Sequence, residues 1–145
     1  MLVRLLSASR AAQEISDALV AKILEDSRRH NLERGITGVL CAYSPGDVFV
    51  QVLEGSRETV NALYASIVRD PRHRDVTLLD YAEITERRFA GWRMGSVNLN
   101  RVNQATILRF SERAPLDPFT MSGRAFLALL DELVSSGAVA CRDGS

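Results

Sequence analysis

The six residues VFVQVL at positions 48–53 constrain the fold more than any other stretch of the chain. Strand side chains alternate between faces, so Val48, Val50 and Val52 share one side while Phe49, Gln51 and Leu53 share the other. A strand that is apolar on both sides belongs inside a sheet with both faces covered. Gln51 is the exception, an amide between two large apolar neighbours. Without partners in a core it would cost about 1–3 kcal/mol, so some group must offer it hydrogen bonds, and a ligand is one candidate. Upstream, Gly35 and Gly38 bracket Ile36 and Thr37, Val39 to Cys41 run as a strand, and Ser44 to Asp47 turn the chain into the 48–53 run.

The flanking sequence supplies the rest of a sheet. Leu2 to Ala8 read as a first strand, with Val3, Leu5 and Ser7 on one face and Leu2, Arg4 and Leu6 on the other. Ser16 caps a helix in which Leu19, Val20, Ile23, Leu24 and Ser27 recur at helical spacing, ending near residues 29–31. Ser56 caps a second helix with Val60, Leu63, Tyr64, Ile67 and Val68 as its buried stripe, and Asp70 with Pro71 ends it. A fourth strand follows over Val76 to Ile84, and a short fifth strand carries Trp92 and Met94 on one face. This order predicts an α+β fold, a ferredoxin-like βαββαβ sheet with an additional fifth strand and both helices on one side. The Val48–Val50–Val52 side then needs its own cover. The C-terminal segment offers it through Ile107, Leu108 and Phe110, then Phe126, Leu127, Leu130, Leu133 and Val134, and a partner subunit is a further source.

Composition narrows the function. A chain of 145 residues suits one domain, and 18 basic against 18 acidic residues give no electrostatic pull toward nucleic acid or an anionic membrane. Neutral chains self-associate readily, so a homo-oligomer is expected. Cys41 and Cys141 lack metal-ligand spacing, and no apolar run or signal-peptide pattern is present, which fits a reducing cytoplasm. No nucleophile with a base and orienting group is evident, nor a phosphate-cradling glycine loop, so no catalysis is expected.

Several motifs occur in order: the opening LVRLLSASR, HN before GITG, FVQVLEG, the IVRDPRH helix exit and the RRFAGWRM approach to the last strand. Together they resemble the BLUF domain, a flavin-binding blue-light sensor module of bacteria, over residues 2 to 100. The resemblance implies a BLUF domain at 1–100 and a C-terminal helical extension at 101–145. It also implies a noncovalent flavin between the two helices, expected as flavin adenine dinucleotide (FAD), with the mononucleotide (FMN) or riboflavin offering the same ring. Asn31 would pair with the ring's carbonyl and N3–H edge, His30 would line the pocket, Ile36 would pack on the ring plane, and Gln51 would bond near N5 and the C4 carbonyl. Asp70, Arg72 and His73 would approach the ring edge and ribityl chain, the arginine being available to phosphate. Trp92 and Met94 would report the pocket's state to a downstream protein partner or the chain's own subunits. Each residue also has an ordinary reading: a helix C-terminus for Asn31, core for Ile36, Trp92 and Met94, and solvated helix-end charges for Asp70 and Arg72.

The chain departs from the family pattern at residue 7. Members carry a first-strand tyrosine that the excited flavin is understood to oxidise, after which the glutamine changes its hydrogen bonding; here the matching residue is Ser7. An aliphatic hydroxyl has no conjugated ring to oxidise, so the usual photocycle is expected to be lost or altered, with Trp92 as the aromatic best suited to replace the donor. Two other functions compete: a light-insensitive protein-interaction module, and a ferredoxin-like acyl-phosphate hydrolase, for which GITG is a poor phosphate loop.

Overall fold

The computed structural model describes residues 1–139, and Cys141 lies outside the described residues. Five strands and four α-helices follow in the order β1 (Leu2–Ala11), α1 (Asp17–Arg34), β2 (Thr37–Tyr43), β3 (Val48–Ser56), α2 (Arg57–Arg69), β4 (His73–Ile84), β5 (Gly95–Asn98), α3 (Gln104–Leu108) and α4 (Gly123–Ser135). The strands form one sheet in the order β4-β1-β3-β2-β5. Only β5 runs parallel to its neighbour, β2; the other pairings are antiparallel. This is the ferredoxin-like α+β arrangement with a fifth strand added at one edge.

The run at 48–53 is the middle of the central strand, and each of its faces has its own core. Phe49 and Leu53 pack with Val3, Leu5, Leu40 and the helices α1 and α2. Val48, Val50 and Val52 pack with Leu6, Val39, Cys41 and, from α4, Phe126, Leu129, Leu130 and Leu133. The C-terminal helices therefore cover the second face, as the valine stripe requires. Gly38 permits the close approach of β2 to β3, since a Cβ there would stand 1.9 Å from the Val52 carbonyl oxygen.

Caps define both long helices. The Ser16 hydroxyl accepts from the Leu19 N–H, and the Ser56 hydroxyl from the Thr59 N–H. α1 runs a turn further than its apolar periodicity indicates, to a left-handed Gly35 (φ 65°) whose N–H bonds the Asn31 carbonyl. The periodicity fades early because the buried position in that last turn is filled by Asn31, an amide, rather than by a hydrophobe.

The fifth strand corrects the sequence reading. β5 begins at Gly95, so Trp92 and Met94 precede it rather than sharing one of its faces. They also diverge: Trp92 joins the α4-side core with Phe89 and Val97, and Met94 joins the α1/α2-side core with Leu40 and Phe49. The segment crosses from one layer to the other between them. Its upstream end is tied down by Glu54, fully buried, which accepts from Arg4 Nε (2.9 Å) and from the Arg88 and Phe89 N–H groups (3.0 and 2.7 Å). Among the described residues no helix is long and apolar enough to cross a membrane.

Candidate functional site

Two antiparallel strands bring Ser7 and Gln51 side by side. They are direct partners in the β1–β3 ladder, with Leu40 next to Gln51 on β2. Both are buried, at 4 % and 7 % exposure. Among the described residues neither side chain makes a hydrogen bond, so the centre of the α1/α2 face carries unmet polar capacity. Ile36, 1 % exposed, packs in the same layer.

On the same side of the sheet a cleft of about 240 Å³ opens between α1 and α2, lined by Asp26, His30, Asn31 and Ile67 on the way to Asp70, Arg72 and His73. Asn31 is 1 % exposed and donates from Nδ2 to the Arg93 carbonyl at 2.7 Å. That bond spends one donor and leaves Oδ1 as an acceptor. His30 is exposed, with Nδ1 2.7 Å from the Asp26 carbonyl, and lines the cleft at its mouth. A larger cavity, about 700 Å³, lies by Arg109, Phe110, Met121 and Ser122 on the C-terminal segment, away from the buried polar row.

The far wall is an ionic cluster. Asp70 ends α2 and accepts Arg72 Nη2 at 2.7 Å and Nε at 3.0 Å, while Arg72 Nη1 reaches Asp26 of α1 at 3.3 Å. The Arg72 guanidinium holds the Asp70 carboxyl below its usual range, and Asp70 in turn raises Arg72. Arg72 is thus already engaged by two carboxylates, which its sequence pattern did not indicate. His73 sits 3.0 Å from the Ser9 hydroxyl through Nδ1 and meets the Phe49 ring edge-on, with centroids 5.6 Å apart. Burial pushes its imidazole pKa down, partly opposed by Asp70, and so favours the neutral ring.

The cleft therefore gathers Asn31, Asp70, Arg72 and His73, with Ser7, Gln51, Ile36 and Met94 in the layer beneath. His30 lines the cleft from its exposed side, and Trp92 packs on the opposite face of the sheet. Sequence reading missed Asp26, Ser9 and Arg28. Asp26 and Arg28 find their partners only where α1 packs against residues 72–94, and Ser9 meets His73 between β1 and β4.

A ferredoxin-like sheet with a cleft between its two helices, over the sheet face that carries Ser7 and Gln51, defines a small α+β module, and comparison places it. A model of the BLUF family, sensors of blue-light using FAD, matches residues 2–95, and the chain belongs to that family. Among solved structures it resembles the photo-activated state of BlsA, at 29% identity and TM-score 0.82, covering 100% of this chain and 99% of that one. It also resembles the dark state of BlrB, a BLUF protein, at 32% identity and TM-score 0.76, covering 94% of this chain and 96% of that one. A photoactivated adenylate cyclase subunit beta from Euglena gracilis is 38% identical over 79 residues, 54% of this chain but 9% of the cyclase subunit. The chain thus matches under a tenth of that subunit's length.

Proposed function

We propose that this chain is a blue-light sensor module that binds a flavin noncovalently, with residues 1–100 as the sensing unit and 101–145 as a helical extension whose described part packs on the sheet. The observation that supports this reading is the Ser7–Gln51 pair at the centre of the sheet, whose side chains make no hydrogen bond within the described protein and keep polar atoms open to a ligand. A flat, largely apolar ring with a hydrogen-bonding rim matches what this face presents: apolar contact at Ile36 and Leu40, and amides at Gln51 and Asn31.

A bound flavin supplies blue-light absorption and an excited state that accepts an electron; the remaining tasks fall to the protein. Asn31 holds one polar edge through Oδ1 while Nδ2 stays on the Arg93 carbonyl. Gln51 holds the other edge from the sheet floor. Asp70 orients Arg72, whose Nη1 reaches Asp26 across the cleft, and His73, its neutral form favoured by burial, closes the wall against Phe49. His30 contributes at the mouth. The flavin form we assign is FAD, the cofactor in the family description, although FMN or riboflavin would meet the same amides. Output runs through Met94 and Trp92, which contact the cleft-side and α4-side cores respectively, to a protein partner or the chain's own subunits. No catalytic step is assigned to the chain.

Ser7 offers a hydroxyl where family members present a phenol, so the pocket is retained without the usual electron donor. A light-minus-dark spectrum tests this. We expect a bound flavin band with no reversible red shift, and a shift restored by Ser7→Tyr. A red shift in the unaltered protein overturns the Ser7 account while leaving the pocket intact. A colourless preparation that cannot be loaded with flavin favours the second reading, a light-insensitive interaction module, which Ser7 alone among the residues supports.

A further inference from the structure

The segment between the sheet's two layers is gripped at three successive carbonyls. That of Trp92 accepts from the Gly38 N–H at 2.9 Å, that of Arg93 from Asn31 Nδ2 at 2.7 Å, and that of Met94 from both Nε and Nη2 of Arg28 at 3.1 and 2.9 Å. Asn31 and Arg28 are three residues apart on α1 and therefore lie on one face of it. Arg28 is half-buried, and among the described residues it pairs with no carboxylate; its hydrogen bonds go to this one oxygen. Asp26 nearby is instead taken by Arg29 and Arg72.

What this grip holds has few ladder bonds of its own, although Val97 is buried in the α4-side core. β5 has four residues and occupies a sheet edge, paired only with β2. Its first ladder pair, Gly95 with Val39, follows directly after Met94. A strand this short gains little hold from pairing along one side, whereas a forked, charge-assisted bond from a guanidinium is both strong and directional.

We propose that Arg28 is a positioning residue of the sensor: its fork on the Met94 carbonyl ties β5 to α1, so that a change in what Asn31 bonds is transmitted to the fifth strand. The latch stands on hydrogen bonds present in the protein itself; its coupling to a ligand rests on the flavin reading above. The two helix residues divide the work. Asn31 faces both the cleft and Arg93, while Arg28, among the described residues, hydrogen-bonds the segment alone and keeps it moving with the helix rather than with the sheet.

Trp92 is the single tryptophan of the chain, so its emission reports this segment without interference. In flavin-free protein, Arg28→Met is expected to shift Trp92 emission to longer wavelength and to speed amide exchange at residues 95–98 about tenfold, with β1 and β3 within about twofold of the parent. Arg28→Lys, which keeps the charge but not the fork, should fall between them. Unchanged exchange at 95–98 in Arg28→Met overturns the latch. FAD is then added to both proteins. The parent should show slower exchange at 95–98, and Arg28→Met should bind FAD within about threefold of the parent while losing that slowing, since Arg28 makes no bond into the cleft. Equal slowing in both proteins overturns the coupling. If neither protein binds FAD while the flavin-free contrast holds, the coupling and the flavin reading fall together and the latch stands.

Discussion

On the α4 side of the sheet Val48, Val50 and Val52 meet Phe126, Leu129 and Leu130 in an apolar layer, whereas on the α1/α2 side Ser7, Ser9, Asn31 and Gln51 interrupt a similar surface. The α4 side does contain a buried ion pair, Arg4 with Glu54, but the carboxylate also takes two backbone N–H groups and so is well supplied with donors. Cys41 on that side is inert in the same sense, its thiol pKa pushed up to about 12 by burial. On the α1/α2 side Ser9 and Asn31 bond His73 and the Arg93 carbonyl, whereas Ser7 and Gln51 make no side-chain hydrogen bond among the described residues. Each face carries a packed core, and the α1/α2 face adds polar capacity that a bound molecule would use.

The largest effects should come from disturbing the α4 side. Phe126→Ala removes a fully buried ring and is expected to cost about 3–5 kcal/mol in chemical denaturation. Glu54→Ala leaves the buried Arg4 cation and two N–H groups without their acceptor and should cost a similar ~3–5 kcal/mol. The α1/α2 side should respond in the opposite sense. Gln51→Leu replaces an amide that has no side-chain partner, so the flavin-free protein should become more stable by roughly 0.5–2 kcal/mol, while FAD affinity falls about tenfold. Loss of stability in Gln51→Leu would break the contrast between the faces.

Much of this contrast was legible in the residues themselves. The alternation at 48–53 identifies the central strand and assigns its two faces; Ser16 and Ser56 start the helices; and the apolar residues after 106 announce the cover for the valine stripe. Ser7 and Gln51 could be placed on one face from periodicity, but their direct pairing required the β1–β3 register. What sequence could not reveal depended on long-range contacts. Trp92 and Met94 have strand-like composition, yet the Arg93 and Met94 carbonyls bond side chains of α1, and the segment turns across the layers before pairing begins at Gly95. Glu54 likewise reads locally as one more strand residue, and its role appears only when the 88–89 backbone folds over it.

Two smaller effects sharpen the comparison. His73 has its pKa lowered by burial, so the unfolded chain takes up a proton below about pH 6.5 that the folded one resists. Its contribution to stability is therefore present above about pH 6.5 and declines as the pH falls toward the lowered value; His73→Asn should flatten that part of the stability–pH curve. His30 is exposed at the cleft mouth, so His30→Ala should change stability by less than about 0.5 kcal/mol and FAD affinity by less than about twofold.

The claim that the α1/α2 face is the ligand site is tested most directly by titrating FAD into the purified chain and into the Asn31→Leu, Gln51→Leu double variant, followed by flavin fluorescence. The account predicts saturable binding by the parent with Kd about 1 μM or below, weakened roughly 30-fold or more by the two substitutions. Equal binding by both proteins, or binding by neither, would contradict it.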